Sequence, residues 1–151
     1  MAKYLDFLQQ YTKHLGEPQG VKEDEIKAIE QQFNVKLPLA YVEFIAVFGK
    51  KRGRILRNYS SEVMYLLQNR KDAIKASAAA GAATFAIKDG HFFFGQWQGL
   101  SSYFFDCESL EDDPPVYVLD AGKAEIFKPS FSQLIREELH KVLKFDGVIK
   151  K

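Results

Sequence analysis

The sequence predicts an α+β fold, with an antiparallel β-sheet packed against N-terminal helices and a C-terminal helix in a single domain over residues 1–151. Three observations predict it. Apolar residues recur at helical spacing through residues 2–48 and again through residues 130–143. Between them lie short apolar runs broken by turn residues, the pattern of strands in sequence. The helices stand before and after the strand region, so they segregate rather than alternate with strands.

Residues 2–15 read as a first helix with Tyr4, Leu5, Leu8, Tyr11 and Leu15 on one face, ended by Gly16 and Pro18. The stretch 26–49, IKAIEQQFNVKLPLAYVEFIAVFG, organises the remainder of the chain. Ile26, Ile29 and Phe33 give one helix its apolar face, and residues 34–36 break it. Pro38 then suits the first turn of a second helix, which needs a fixed φ and no amide donor. Tyr41, Phe44, Ile45 and Phe48 form its apolar face, and Gly49 reads as a left-handed C′ residue. Ile55 and Leu56 are expected to begin a strand, and residues 63–67 to form another. Asn69 is placed as the cap of a helix over 70–80 whose alanine-rich tail frays. Residues 84–88 and 91–94 flank Asp89-Gly90, a type I′ hairpin signal. Phe92, Phe93 and Phe94 are consecutive, so that strand is expected to be central, buried on both faces or covered by the neighbouring helices. Strands are expected next at 102–106 and 116–120, with a short edge at 124–127. Ser130 caps the last helix, whose Phe131, Leu134, Ile135, Leu139, Val142 and Leu143 form a full core stripe.

A chain with 46% hydrophobic residues, including 13 Phe and 7 Tyr, can bury a sizeable aromatic core. A net charge of +1 implies no bulk attraction to nucleic acid or membrane. No apolar run reaches the roughly 18 residues a membrane span needs. The N-terminus has no unbroken apolar region of the signal-peptide kind. One cysteine, Cys107, excludes an internal disulfide and suits a reducing compartment. From these features the chain is expected to be a soluble, cytoplasmic protein.

The order and spacing of Ile26-x-x-Ile29-Glu30, Leu37-Pro38, Tyr41-x-x-Phe44-Ile45 and Gly49 resemble the N-terminal half of the SUKH superfamily. Tyr103-Phe104-Phe105-Asp106, the acidic run into Val116-Tyr117, and Ser130-Phe131 continue the resemblance, which covers about residues 23–143. It implies a curved sheet backed by helices on one side. It also implies a partner-binding function, as in fungal cell-wall-synthesis regulators and bacterial immunity proteins. One departure stands out. Where a Gly-x-Trp-type segment is associated with the family, this chain has Arg52-Gly53-Arg54, so its choice of partner is expected to differ.

No catalytic, metal or cofactor set emerges from the motifs. His14, His91 and His140 lie on separate elements without paired spacing, and the phosphate-loop pattern is absent. Cys107 stands among acids, which disfavours a reactive thiolate. Charge segregation is the stronger signal. Residues 50–57 hold five bases, whereas residues 89–122 hold seven acids and no Lys or Arg. An acidic surface suits a basic protein partner. Trp97, in a glycine-bounded connection, has the character of an interface anchor. The expected partner-binding patch therefore joins Trp97 to Glu108, Glu111, Asp112 and Asp113.

The leading expectation is a non-enzymatic protein-binding module, an immunity protein that neutralises a cognate toxin domain such as a nuclease. A regulatory scaffold of the cell-wall type is the alternative. Nucleic-acid binding would need Phe92, Phe94, Tyr103 and Phe105 as a stacking platform, and the near-neutral charge argues against it. A cysteine enzyme built on Cys107 ranks last. The corner at Leu37-Pro38 yields a structural prediction. Leu37→Asp puts an unpaired carboxylate into the core and is expected to cost several kcal/mol, enough to prevent folding. Thermal melting checks it, and a wild-type-like curve would place the corner in solvent.

Overall fold

The computed structural model of the protein describes residues 2–81 and 84–149. A 3₁₀ helix, Asp6–His14, precedes α1 (Glu23–Phe33) and α2 (Leu39–Phe48). A 3₁₀ turn, Val63–Tyr65, runs directly into α3 (Leu66–Ala79). Strands β1 (His91–Trp97), β2 (Ser101–Asp106), β3 (Val116–Asp120) and β4 (Lys123–Lys128) come next, with a 3₁₀ turn at Cys107–Ser109, and α4 (Phe131–Phe145) closes the fold. The strands form one antiparallel sheet in the order β1-β2-β3-β4. This is the predicted α+β architecture, except that α3 packs on the opposite face of the sheet from α2 and α4, so helices lie on both sides rather than one.

The helix pair forms for the reasons read from its residues. Asn34 adopts the left-handed conformation at φ 51°, and the Asn34 and Val35 amides close the last turn of α1 onto Gln31 and Glu30. Leu37 is 4% exposed, and its amide donates to the Glu30 carboxylate at 2.8 Å. Pro38 stands one residue before the expected first turn, as the N-cap of α2. Tyr41, Phe44, Ile45 and Phe48 are all fully buried. The Tyr41 ring lies 5.3 Å from Phe92, 5.2 Å from Phe105 and 5.5 Å from Phe131, so α2 meets β1, β2 and α4 at one point. Ser130 caps α4 by accepting from the Gln133 amide.

Several local expectations are corrected. Residues 2–15 are not an α-helix: the segment is 3₁₀, with a break at Tyr11. Its entry is tied down instead by Glu43 of α2, whose carboxylate accepts the amides of Lys3, Tyr4 and Leu5 at 2.9–3.0 Å. The spacing Leu5, Leu8, Tyr11 fits a period of three. Gly49 is right-handed, with φ −63°, and glycine is needed there for space. A Cβ would stand 2.6 Å from the Ile45 carbonyl. Ile55 and Leu56 are buried in turns rather than a strand. Residues 63–67 enter a helix, not a strand, and Asn69 is inside it. The Asn69 side chain donates to the Ser60 carbonyl and accepts from Gln96, so its polarity serves a buried contact rather than a cap. Leu66, Asn69, Ala73 and Ser77 are the buried face of α3, a stripe too small and polar to show in hydropathy. Ala82 and Ala83 of the alanine-rich tail lie outside the described residues.

Residues 84–88 form no strand, so Asp89-Gly90 is a turn without a hairpin. The free edge of β1 is already met by the Tyr59 carbonyl, which accepts from the Gln96 amide at 2.7 Å. Phe85 and Ile87 instead cross the second face of the sheet and pack on Phe93 and Phe104. β1 is thus an edge strand by pairing, not the central one expected, yet Phe92, Phe93 and Phe94 are all buried, as their run predicted. A bulge between Phe93 and Gly95 inserts one residue and reverses the alternation beyond it. Gln96 therefore reaches Asn69 and Asp72 of α3, whereas Trp97 packs toward the main core. A second bulge falls between Val116 and Tyr117, opposite Phe127.

The buried Tyr41 hydroxyl has no hydrogen-bond partner among the described residues. Burial is the main cause of its raised pKa, with Cys107 the lesser one. An unsatisfied buried hydroxyl is destabilising. Tyr41→Phe keeps the ring contacts and is expected to raise stability by about 1 kcal/mol in urea unfolding. A loss of stability would show that the hydroxyl is satisfied.

Candidate partner-binding surface

The acidic run lies beyond β2, where the chain crosses to β3. Three backbone bonds tie it to three elements. The Cys107 amide donates to the Gly90 carbonyl at 2.8 Å, the Ala40 amide of α2 donates to the Asp112 carbonyl at 2.8 Å, and the Phe131 amide of α4 donates to the Pro114 carbonyl at 2.9 Å. Asp106 caps the 3₁₀ turn by accepting from the Glu108 amide at 2.9 Å. Glu108, Glu111 and Asp112 are exposed. Leu110, left-handed at φ 57° and 75% exposed, stands among them. Asp113 differs from its neighbours. It is half-buried, and its carboxylate accepts from the Ser132 amide at 2.8 Å and the Ser132 hydroxyl at 2.5 Å. It thus satisfies a free donor at the start of α4, where a negative charge is also favourable.

Trp97 does not join this surface. Strand register pairs His91 with Asp106 but Trp97 with Ser101, so Trp97 and the acidic run stand at opposite ends of β1 and β2. Six residues of strand separate those ends by about 20 Å. Trp97 is half-buried, edge-on to Tyr59 at 5.9 Å. Its remaining surface borders a groove of about 240 Å³ with Arg57, Lys141 and Phe145. The two parts of the expected composite patch therefore lie at opposite strand ends, because a meander such as β1-β2-β3 brings alternate turns, not consecutive ones, to the same end. Phe92, Phe94, Tyr103 and Phe105 are likewise buried, so these four do not form the exposed platform that stacking on bases would need.

The family model described as SMI1-KNR4 cell-wall, SUKH_6, matches residues 23–135. The chain belongs to this SUKH family. No curated protein matches it. The match runs from the start of α1 to Ile135, within the second turn of α4, so it holds the helix pair, α3, the whole sheet and the acidic run. It stops short of residue 143, to which the sequence resemblance extended. The N-terminal 3₁₀ helix lies outside the match.

In this SUKH domain the basic stretch proves to be largely structural. Lys50 pairs with Glu25 at 3.1 Å, Arg52 with Glu62 at 3.2 Å, and Arg54 forks onto Asp146 at 2.7 and 2.9 Å. Only Lys51 and Arg57 of the five make no ion pair among the described residues. Charge segregation along the sequence is therefore mostly neutralised in space on the basic side, and not on the acidic side. Cys107 is buried, and burial, with Asp106 and Glu30 nearby, pushes its thiol up to about 12. It is a protonated core thiol at neutral pH, a poor nucleophile. Burial is the larger cause, which its acidic sequence neighbours alone did not reveal.

The Arg54 fork, aided by His14 at 2.7 Å, holds the Asp146 carboxyl well below the usual carboxylate range. A depressed carboxyl adds stability that is complete well above its unfolded value of about 3.9 and is lost as pH falls below it. Asp146→Asn is expected to melt lower than wild type at neutral pH, with the gap narrowing below about pH 4. Melting curves across pH 7 to 2 check this, and a gap unchanged by pH would make the ionic fork idle.

Proposed function

We propose that this SUKH domain is a non-catalytic protein-binding module of the immunity type, acting in the cytoplasm by occluding a cognate toxin domain. The observation that carries the reading is the acidic run. Glu108, Glu111 and Asp112 face solvent around an exposed Leu110, on a backbone tied to Gly90, α2 and α4. A loop held this way loses little freedom on binding, and its uncompensated charge draws a basic partner. A nuclease toxin, which carries a basic substrate groove, fits that chemistry. Trp97 contributes to the same partner only if that partner spans the sheet's length.

The family's cell-wall description favours a second reading, a regulatory scaffold that binds a cellular protein through the same surface. Both readings require a protein partner, and they differ in the partner's effect on growth.

The test is co-expression with a toxin domain encoded by a neighbouring reading frame. Rescue of growth supports the immunity reading, and failure to rescue with a folded, expressed domain counts against it. Reversing Glu111 and Asp112 to Lys is expected to slow association by about tenfold at low salt, with the difference fading as salt rises. Stopped-flow or surface-based kinetics reads this. An unchanged association rate would remove the acidic run from the interface.

A further inference from the structure

The second face of the sheet is only partly covered. α3 lies over β1, and Phe85 and Ile87 reach as far as Phe104. Beyond them a cleft of about 210 Å³ opens between Phe85, His91, Phe104, Asp106, Tyr117 and Ala124. Its size decides what it can hold. Sites for drug-sized ligands begin at about 300 Å³, so this one fits a single long side chain.

The lining is specific. Phe104 is its floor, with Phe85 at 5.5 Å and Tyr117 stacked at 5.2 Å. Phe85 and Tyr117 are half-buried and keep aromatic surface open to solvent. Aromatic ring faces attract a cation, most strongly where water is partly excluded. At the other end stands Asp106. One of its carboxylate oxygens accepts the Glu108 amide, and the residue makes no ion pair among the described residues. His91 adds no repulsion. The Lys88 amide donates to its Nδ1 at 3.0 Å, and burial lowers its pKa, so the ring is neutral. Among the described residues no Lys or Arg lines the cleft. The positive charges of Arg70, bonded to the carbonyls of His91 and Lys88 and 3.9 Å from Asp89, and of Lys88 act on His91, and the Asp106 and Glu108 carboxylates oppose them there.

We propose that this cleft receives one basic side chain, lysine or arginine, of the protein partner, with its cation held between aromatic faces and the Asp106 carboxylate. The inference deepens the partner-binding reading and rests on it. The acidic run begins at Glu108, two residues beyond Asp106, so the cleft lies at the edge of the surface proposed for a basic partner. The long-range charge would then speed encounter, and the cleft would fix register.

The test titrates the isolated domain with Nα-acetyl-arginine methylamide, Nα-acetyl-lysine methylamide and the uncharged norleucine analogue, followed by NMR. Saturable shifts of the Phe85, His91 and Tyr117 ring signals with at least one basic amide, absent with norleucine, are expected. Asp106→Asn keeps an acceptor for the Glu108 amide while removing the charge, and it is expected to weaken binding about tenfold. Tyr117→Leu keeps apolar cover and is expected to weaken binding through loss of the ring. The backbone spectrum confirms that each variant is folded. No saturable shift with either basic amide overturns the proposal, as does an equal response to norleucine or full binding by Asp106→Asn. The titration uses no toxin, so a failed growth rescue sinks the immunity reading without touching this result, and a silent cleft leaves that reading to its own assay.

Discussion

Everything in this fold is arranged around the ring of Tyr41. It projects from α2 into a cage of Phe92, Phe94, Phe105 and Phe131, drawn from two strands and the last helix. Few contacts join so many separated parts of the chain. The helix pair supplies one wall, the sheet another and α4 the third, and burial of their aromatic surface is the main force holding them together. The cost is a hydroxyl sealed away from water. The core accepts that cost because the ring's contacts outnumber its one unsatisfied atom.

That docking also places the surfaces. With α2 pinned at Tyr41, the start of the helix lies against the crossing from β2 to β3, where the Ala40 amide takes the Asp112 carbonyl. With α4 pinned at Phe131, Ser132 takes the Asp113 carboxylate. The acidic run is thereby fastened to the same elements that make the core. A charged loop on such a base can be both exposed and ordered, a combination suited to recognition.

The two charged stretches end differently because of what folding brings beside them. The bases after α2 meet Glu25, Glu62 and Asp146, which come from α1, the approach to α3 and the end of α4. Of the acids after β2, Asp113 accepts from the Ser132 amide and hydroxyl, and Glu108, Glu111, Asp112 and Asp113 make no ion pair among the described residues. A similar count of charges thus becomes internal bracing in one place and an open surface in the other. The partly uncovered second face of the sheet adjoins the open surface, and that adjacency gives it a chemistry.

The sequence by itself determined the parts governed by local rules. The helix pair with its Leu37-Pro38 corner, the Ser130 cap, the stripe of α4 and the bounds of β3 come from periodicity, capping and turn residues. Those same residues carried the family resemblance that the match over residues 23–135 establishes. Of the site, the acidic run was legible as unbalanced charge. Tertiary structure decided the rest, because it depends on partners distant in sequence. α3 is held by a stripe of Leu, Asn, Ala and Ser that only a facing sheet can reveal. Asp113 looks like its neighbours until Ser132 stands beside it. The inserted residue near Gly95 turns Trp97 toward the core, and strand register sets it a sheet's length from the acids. A single extra residue in one strand reverses every side chain beyond it, and no local pattern in this sequence records that count.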